Sequence, residues 1–591
     1  MRELLQRVFP LLSDVLQQRG SNLPQDVLAG SITAILLIPQ ALAYAVLAGL
    51  PPEVGLYASV LPTVIYAFLG SSRTLSVGPV AVAAVMVAST LTAYAGSDPD
   101  KYLSGALMLS ALTGALLLGL SLLRMGWLTH FISHPVLSGF TTGAAIFILG
   151  TQIAPLLGIS APRDGHFPEL LLAVAGNIYS VNPVTAAMGA VSVIALLLAR
   201  GPLIAQLQGL GASESLARTL SRTAPLLLVV VATVLCAWLG LADRHHVAVV
   251  GSVPQGMPDA SLAFLAQEGW LVLLPGAALI AVIAYVESIS VARALAFRRH
   301  ERISPDRELM ALGVSNVTGA IVGAMPVAGG FSRSIVNFEA GAKTQAAAVV
   351  TAVWVALATM FFAGMLADLP KAVLSAIIVV AVFQLIDLPA LRHTWSYDRA
   401  DGLAQGATIA GVLVMGIEAG LLTGVVLGAA AFLYRTSRPH IAIVGRIPGT
   451  EHFRNVDRYQ VTTWPGLLIL RVDENFYFAN APRLENDLLN IVAGQKDLSC
   501  LVLILSGVGY VDASGLQMLE SFERSLREKG ITLHLSEVKG PVMDRLAGTE
   551  LLQQLDDSRI HLTTDSAVRR LAETASGPVD LARPQKPSRD A

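Results

Sequence analysis

The sequence predicts a polytopic α-helical membrane protein followed by a small α/β domain, and three observations predict it. Of 591 residues, 54% are hydrophobic and only 14% charged, with a mean hydropathy of +0.62; a soluble protein carries roughly a quarter charged residues. The apolar runs crowd before about residue 435, and the rest has ordinary soluble composition. Two apolar segments are short and marked by Gly and Pro: S-V-G-P-V-A-V-A-A-V (Ser76–Val85) and V-A-G-G-F-S-R-S-I-V-N (Val327–Asn337). Paired broken segments, one in each half, point to the substrate site of a membrane carrier. A helix that begins inside the membrane aims unpaired N–H groups and a positive dipole end at whatever lies there. Two such ends plus Arg333 suit an anion.

Taken in order, residues 1–25 alternate charge and leucine without a signal peptide's apolar core, and read as a cytoplasmic amphipathic helix. The transmembrane region is predicted over 26–435. A span needs roughly 20 apolar residues. Runs of that kind lie at Val27–Leu47, Val54–Leu69, Tyr102–Leu123, Val136–Leu157, Val184–Leu198 and Ala224–Leu241. A second set lies at Leu271–Ala292, Leu309–Val322, Ala346–Leu366, Ala372–Ile386, Leu403–Ile417 and Leu421–Tyr434. With the two broken segments the total is about 14. The broken segments come third and tenth, one in each of two seven-segment halves. An odd number per half makes the halves inverted, the 7+7 plan of an inverted-repeat transporter.

Basic residues collect in cytoplasmic loops. With the N-terminus inside, one side holds Arg73, Arg124, Arg200, Arg293, Arg302, Arg307 and others, about 13 in all. The other holds only Lys101, Arg163, Arg244 and Lys371. Both termini are therefore predicted in the cytoplasm, in an inner-membrane protein.

Beyond Tyr434–His440 the period changes. Short apolar runs at 466–472, 500–506 and 531–535 alternate with helical patterns at 480–494, at 514–528 and from Pro541. Such alternation predicts an α/β domain over 436–575. The tail over 576–591 is Pro- and charge-rich and is predicted to be disordered.

Composition also excludes. A formal net charge of −2 offers no nucleic-acid footprint. Two cysteines, Cys236 and Cys500, make neither a disulfide framework nor a metal cluster. His130, His134, His245 and His246 lack metal-ligand spacing, so neither a metal nor another cofactor is expected. P-loop, H-E-x-x-H and G-x-S-x-G motifs are missing, which argues against an enzyme or a primary pump.

The run L-I-P-Q-A-L-A-Y-A-V-L-A-G-L-P-P-E-V-G-L-Y-A-S (Leu37–Ser59) resembles the signature of the sulfate permease family, also called solute carrier family 26. Gly70–Ala81 and Phe331–Gln345 continue the match. R-V-D-E-N-F-Y-F-A-N (Arg471–Asn480) and V-D-A-S-G-L (Val511–Leu516) resemble that family's STAS domain. The resemblance implies a homodimer of 14-segment subunits, each with a core that carries the anion past a gate, and a cytoplasmic STAS domain open to a cytosolic partner.

Candidate residues follow. The resemblance places the anion between the two helix starts, at Val77, Gly78 and Val80 on one side and Phe331, Ser332, Arg333 and Ser334 on the other. A tetrahedral dianion offers only acceptors, so a site made of donors is what it needs. An arginine in a span costs about 2.5–3.5 kcal/mol on insertion scales, which favours a functional Arg333 over one that merely snorkels. Gln40 and Tyr44, one helical turn apart, share a face, and in the resembling family that helix walls the anion cavity; polar packing beside Pro39 is the bland alternative. Glu287 lies in L-I-A-V-I-A-Y-V-E-S-I-S-V-A-R (Leu279–Arg293). An ionised carboxylate there is expensive, which suits a group that takes up a proton with the anion; the alternative is a structural pair with Arg333. Resembling plant-type sulfate carriers have a glutamate at the matching place. Glu339 and Lys343 read as an ion pair capping the broken helix. Ser514 is expected to cap its helix, with regulatory phosphorylation as the alternative.

The expectation is thus proton-coupled sulfate symport by alternating access, with Na+ as the alternative coupling ion. Bicarbonate or C4-dicarboxylate transport, or chloride/bicarbonate exchange, fits the same fold. A membrane-anchored STAS sensor or scaffold is the rival of another class.

Overall fold

The first helix, α1 (Leu23–Leu47), is 25 residues long, or roughly 37 Å at about 1.5 Å per residue, enough to cross the hydrocarbon core of about 30 Å. It carries Pro24 in its first turn, where a missing N–H costs nothing. It belongs to a computed structural model describing residues 22–572 and 578–581, apart from 97, 132, 161–165, 212, 252–253 and 258–259. The amphipathic segment expected over 1–25 lies outside the described residues, except that its last residues already belong to α1.

Among the described residues, eight helices are long and apolar enough to span a membrane. Every apolar run predicted above contains helix, but several helices are shorter than the run of about 18 residues that a span needs. Ala346–Phe361 has 16 residues, and Pro305–Ile321 and Arg399–Met415 have 17 each. Buried small residues let these helices touch. A Cβ on Gly114 would lie 2.7 Å from the Gly313 carbonyl oxygen, so Pro99–Leu122 and Pro305–Ile321 pack backbone to backbone.

Two short strands interrupt the helices. β1 (Val77–Gly78) leads into α2 (Ala81–Ala95). After α3 (Trp270–Arg299) and α4 (Pro305–Ile321), β2 (Ala328–Gly329) leads into α5 (Phe331–Glu339). β1 and β2 pair antiparallel, Val77 opposite Gly329 and Gly78 opposite Ala328. Both halves of the chain therefore meet where their broken helices begin.

The chain divides into two compact units, Met1–Gly428 and Ala429–Ala591, and the division falls inside the helix Ile417–Thr436. The second unit holds β3 (Ile441–Arg446), β4 (Phe453–Asn455), β5 (Val461–Thr463), β6 (Leu467–Val472), α6 (Ala481–Ala493), β7 (Cys500–Ile504), α7 (Ala513–Glu528), β8 (Thr532–Ser536), β9 (Ile560–His561), α8 (Thr564–Ala572) and β10 (Val579–Leu581). The sheet order is β10-β5-β3-β6-β7-β8-β9, with β4 paired to β3. Strands β6 to β9 run parallel. The strand period of two sorts their side chains. Leu468, Leu470, Leu501 and Leu503 pack with Leu484, Leu488 and Phe522 from α6 and α7. Leu467, Ile469, Val502 and Ile504 pack with Ala567 and Val568 from α8 on the other face.

Two expectations change here. Part of the tail expected to be disordered forms a strand, because β10 supplies backbone groups to the edge of β5, with Val579 opposite Thr463. The cap of α7 is Asp512, not Ser514. Asp512 has extended dihedrals (φ −92°, ψ −176°) and accepts from the Gly515 N–H at 2.8 Å and the Phe478 N–H at 2.9 Å. Ser514 sits inside the first turn, where its backbone is already helical.

Candidate functional site: the meeting of two helix starts

Neither α2 nor α5 carries a side-chain cap; Val80 and Gly330 hold the N-cap positions. The first intrahelical bonds run from the Ala84 N–H to the Val80 oxygen and from the Ser334 N–H to the Gly330 oxygen. The N–H groups of the first turns therefore have no helical acceptor and point outward with the positive dipole ends.

A cavity of about 40 Å³ lies there, lined by Gln40 and Tyr44 of α1, Val80–Val82, Glu287 of α3, and Gly330–Arg333. Spaces of about 10–15 Å³ hold one water, so it admits a few waters or a compact anion. Gln40, Tyr44, Val80, Phe331, Ser332, Arg333 and Glu287 all converge on it from distant parts of the sequence. Val77, Gly78 and Ser334 do not line it. Val77 and Gly78 are spent in the two-stranded pairing. The Ser334 hydroxyl donates to the Gly330 oxygen at 2.6 Å and accepts from the Ser76 N–H at 2.9 Å, tying one broken segment to the other.

Arg333 is 2% exposed. Its Nε donates to the Ser76 oxygen at 3.0 Å, Nη1 to the Pro79 oxygen at 2.6 Å and Nη2 to the Ala328 oxygen at 3.0 Å. The guanidinium thus spans both broken segments while its charge sits beside the cavity. Glu287 forms no ion pair with it within 4.0 Å among the described residues. Glu287 Oε2 is buried and, among the described residues, accepts no hydrogen bond.

Further residues, unremarked in the sequence, hold the broken segments in place. Ser288 accepts from the Gly329 N–H at 2.7 Å. Asn316 accepts from the Val327 N–H at 2.8 Å and donates to the Val327 oxygen at 3.1 Å. Glu308, fully buried, accepts from the Tyr66 hydroxyl at 2.7 Å and from the N–H and hydroxyl of Ser71 at 2.8 and 2.7 Å. Asp26 accepts from the Lys343 and Thr344 N–H groups at 2.6 and 3.0 Å, and so anchors the segment that follows α5. Asp26 and Glu308 each lie in the first turn of a helix, where acids are common for dipole reasons alone. Only their burial distinguishes them.

Two larger cavities flank the site along α1. One of about 360 Å³ is lined by Leu36, Gln40, Arg200 and Ser332; it shares Gln40, Ser332 and Ala381 with the central cavity. The other, of about 750 Å³, begins at Val46 and Leu47 and shares no lining residue with it. The central cavity therefore shares its lining with the Arg200 flank and not with the larger one.

Fold and site together define a multi-pass membrane protein whose interrupted helices start at one central cavity, joined to an α/β domain. The chain belongs to the sulfate permease family: that family's model matches residues 23–408, and the STAS domain model matches 458–567. It is similar to the probable sulfate transporter 4.2 of Arabidopsis thaliana, 32% identical over 95% of this chain and 83% of that protein. It is also similar to the low affinity sulfate transporter 3 of Stylosanthes hamata, 32% identical over 95% of this chain and 90% of that protein. The fold matches the murine Solute Carrier 26 family member A9 anion transporter in its inward-facing state, with a TM-score of 0.87 at 21% identity over 97% of this chain and 95% of that one. The transmembrane domain of the cyanobacterial bicarbonate transporter BicA matches with a TM-score of 0.58 at 21% identity, over 68% of this chain and 97% of that one. The family is one of transporters, and the chain is a carrier rather than an enzyme.

Proposed function

We propose that this protein is a secondary active anion transporter that carries sulfate with a proton by alternating access. The observation that carries the reading is the convergence of two uncapped helix starts, Ser332, Gln40 and Tyr44 on one small cavity, with the Arg333 charge behind them. Every polar element there except Glu287 can donate, which suits an anion of acceptor oxygens. Relatives named as sulfate transporters support the choice of cargo. A cavity of about 40 Å³ favours a compact inorganic anion over a C4-dicarboxylate.

Glu287 is the coupling residue in this reading. An ionised carboxylate with an unpartnered buried oxygen is costly, and a bound proton removes that cost while offsetting one charge of the dianion. The lining that the site shares with the Arg200 flank supports an inward-open arrangement. In this reading that flank and both termini face the cytoplasm of an inner-membrane protein, which the positive-inside count supports. The remaining organisation is a 7+7 inverted repeat of 14 segments. A core holding α2 and α5 moves past a gate, in a homodimer whose STAS domain aids assembly or binds a cytosolic partner.

The test is labelled sulfate uptake into proteoliposomes with and without an inward proton gradient, for wild type and Glu287→Gln. Gradient-driven uptake that the variant loses, while it keeps sulfate–sulfate exchange, is the expected result. Bicarbonate uptake insensitive to sulfate, or a requirement for sodium, would replace the cargo or the coupling ion. Normal uptake by Arg333→Ala would sink the site.

A further inference from the structure

The flank that shares Gln40 and Ser332 with the central cavity lies outside the site described above. Its wall combines the end of the helix Pro183–Arg200 with α1, α5, the helix Lys371–Val382 and the region of Ser221. Among its described lining residues Arg200 is the only charged one, and no carboxylate faces it there. Arg200 is solvent-accessible. Its Nη1 donates to the Val380 oxygen at 2.7 Å, near the end of Lys371–Val382, and Gln384 lies against the same guanidinium. Those contacts use part of a fork of five N–H donors and fix its direction. Gln40 and Ser332 face this space and the central cavity alike.

We infer that Arg200 forms, with Gln40, Ser332, Ser221 and Gln384, a second oxyanion station at the mouth of the central cavity, occupied as the anion enters or leaves. The inference rests on the transport reading of the central cavity and extends it. An anion leaving two helix starts meets an apolar wall on most sides of this flank (Leu196, Ala199, Ala224, Ile377). Arg200, the one charged group among the described lining residues, gives the departing anion a place to pause before water takes over. Gln40 and Ser332 supply donors to both positions, so the anion passes between them without losing every hydrogen bond at once. The bland role, a cation that caps the carbonyl end of Lys371–Val382, predicts a loss of stability but no sidedness.

The test uses the full chain in proteoliposomes, with uptake measured separately in right-side-out and inside-out populations. Arg200→Gln is expected to raise the half-saturating sulfate concentration by about tenfold from the Arg200 face, equivalent to about 1.4 kcal/mol, and by less than about twofold from the opposite face. Arg200→Lys should retain most of the affinity. An equal change from both faces, or none, overturns the station. Because loss of the cap alone could disturb folding, Arg200→Cys in a Cys236→Ser, Cys500→Ser background supplies a second readout. Aminoethyl methanethiosulfonate, which leaves a disulfide-linked ammonium on the introduced thiol and releases methanesulfinate, should restore the affinity from that face, whereas methyl methanethiosulfonate, which leaves a neutral methyl disulfide, should not; equal effects of the two overturn the proposal. No anion uptake by wild type at all would overturn the transport reading too, whereas uptake with a symmetric Arg200 effect overturns only the station.

Discussion

Arg333 donates to the Pro79 carbonyl oxygen at 2.6 Å, so the cation of one broken helix is a rivet through the backbone of the other. With the bonds to Ser76 and Ala328 it joins β1, β2 and both helix starts into one body. Charge and scaffold are the same group.

The first prediction concerns that double role. Arg333→Lys keeps the charge but offers a point ammonium in place of a planar fork. Hydrogen bonds from a charged donor are worth about 1.5–3 kcal/mol each, and the freed carbonyls stay buried. We expect sulfate uptake to fall by at least about tenfold, with a clear drop in Tm measured on the same preparation. Full uptake at an unchanged Tm would mean that charge alone matters.

Gly330 allows the rivet. A Cβ there would lie 2.7 Å from Arg333 Cζ and 2.8 Å from Nε, although its backbone (φ −88°, ψ 126°) suits any residue. A Cβ on Gly78 would sit 3.4 Å from Nη2, which a small shift accommodates. Gly330→Ala should therefore cost about 1–3 kcal/mol from overpacking and most of the uptake, and Gly78→Ala much less. Comparing the two in one uptake assay separates the close approach from a general need for glycine.

In the STAS domain the cap assignment is testable by urea unfolding of a fragment that starts after Thr436. Asp512→Ala removes the acceptor for the Gly515 and Phe478 N–H groups and should cost about 1–2 kcal/mol. Ser514→Ala should change stability by no more than about 0.5 kcal/mol. The opposite order would return the cap to Ser514.

Acid should weaken the same domain through two histidines. His534 Nδ1 and His561 Nε2 are 3.2 Å apart, joining β8 to β9, and both side chains are buried. Burial, the neighbouring His561, and Arg559 and Arg570 push His534 down from 6.5 to about 4, and burial chiefly lowers His561 as well. Asp556 opposes this only in part. A histidine held neutral in the folded state is protonated first in the unfolded chain. Its contribution is therefore complete above about pH 6.5, falls as pH drops towards 4, and is spent below that, for a loss of roughly 3 kcal/mol. Urea midpoints at about pH 7 and about pH 5 should show the fall, and His534→Gln with His561→Gln should flatten it. An unchanged slope in the double variant would assign the acid effect elsewhere.

Hydropathy and punctuation made much of this protein legible. The apolar runs, the two broken segments and the strands at 467–472, 500–504 and 532–536 follow from periods of 3.6 and 2 that local sequence carries. The lone arginine after V-A-G-G and the Gln40–Tyr44 face were visible because charge and polarity stand out against an apolar background. The roles of Asp26, Glu308, Asn316 and Ser288 were not visible, since first-turn acids and scattered polar residues look ordinary until burial gives them partners. Arg200 resembled one more cytoplasmic arginine of the positive-inside pattern.

What the sequence determined by itself was the class of protein, the place of its two helix breaks and the chemistry on offer there. Each of these depends on residues near one another in the chain. Tertiary structure alone decided that β1 pairs with β2 across some 250 residues. It also decided that Arg333 bonds to carbonyls while Ser334 turns away from the cavity, and that the central space shares its lining with the Arg200 flank and not with the larger one. Those outcomes are set by which distant groups come within hydrogen-bonding reach of about 3 Å, a quantity that no local pattern encodes.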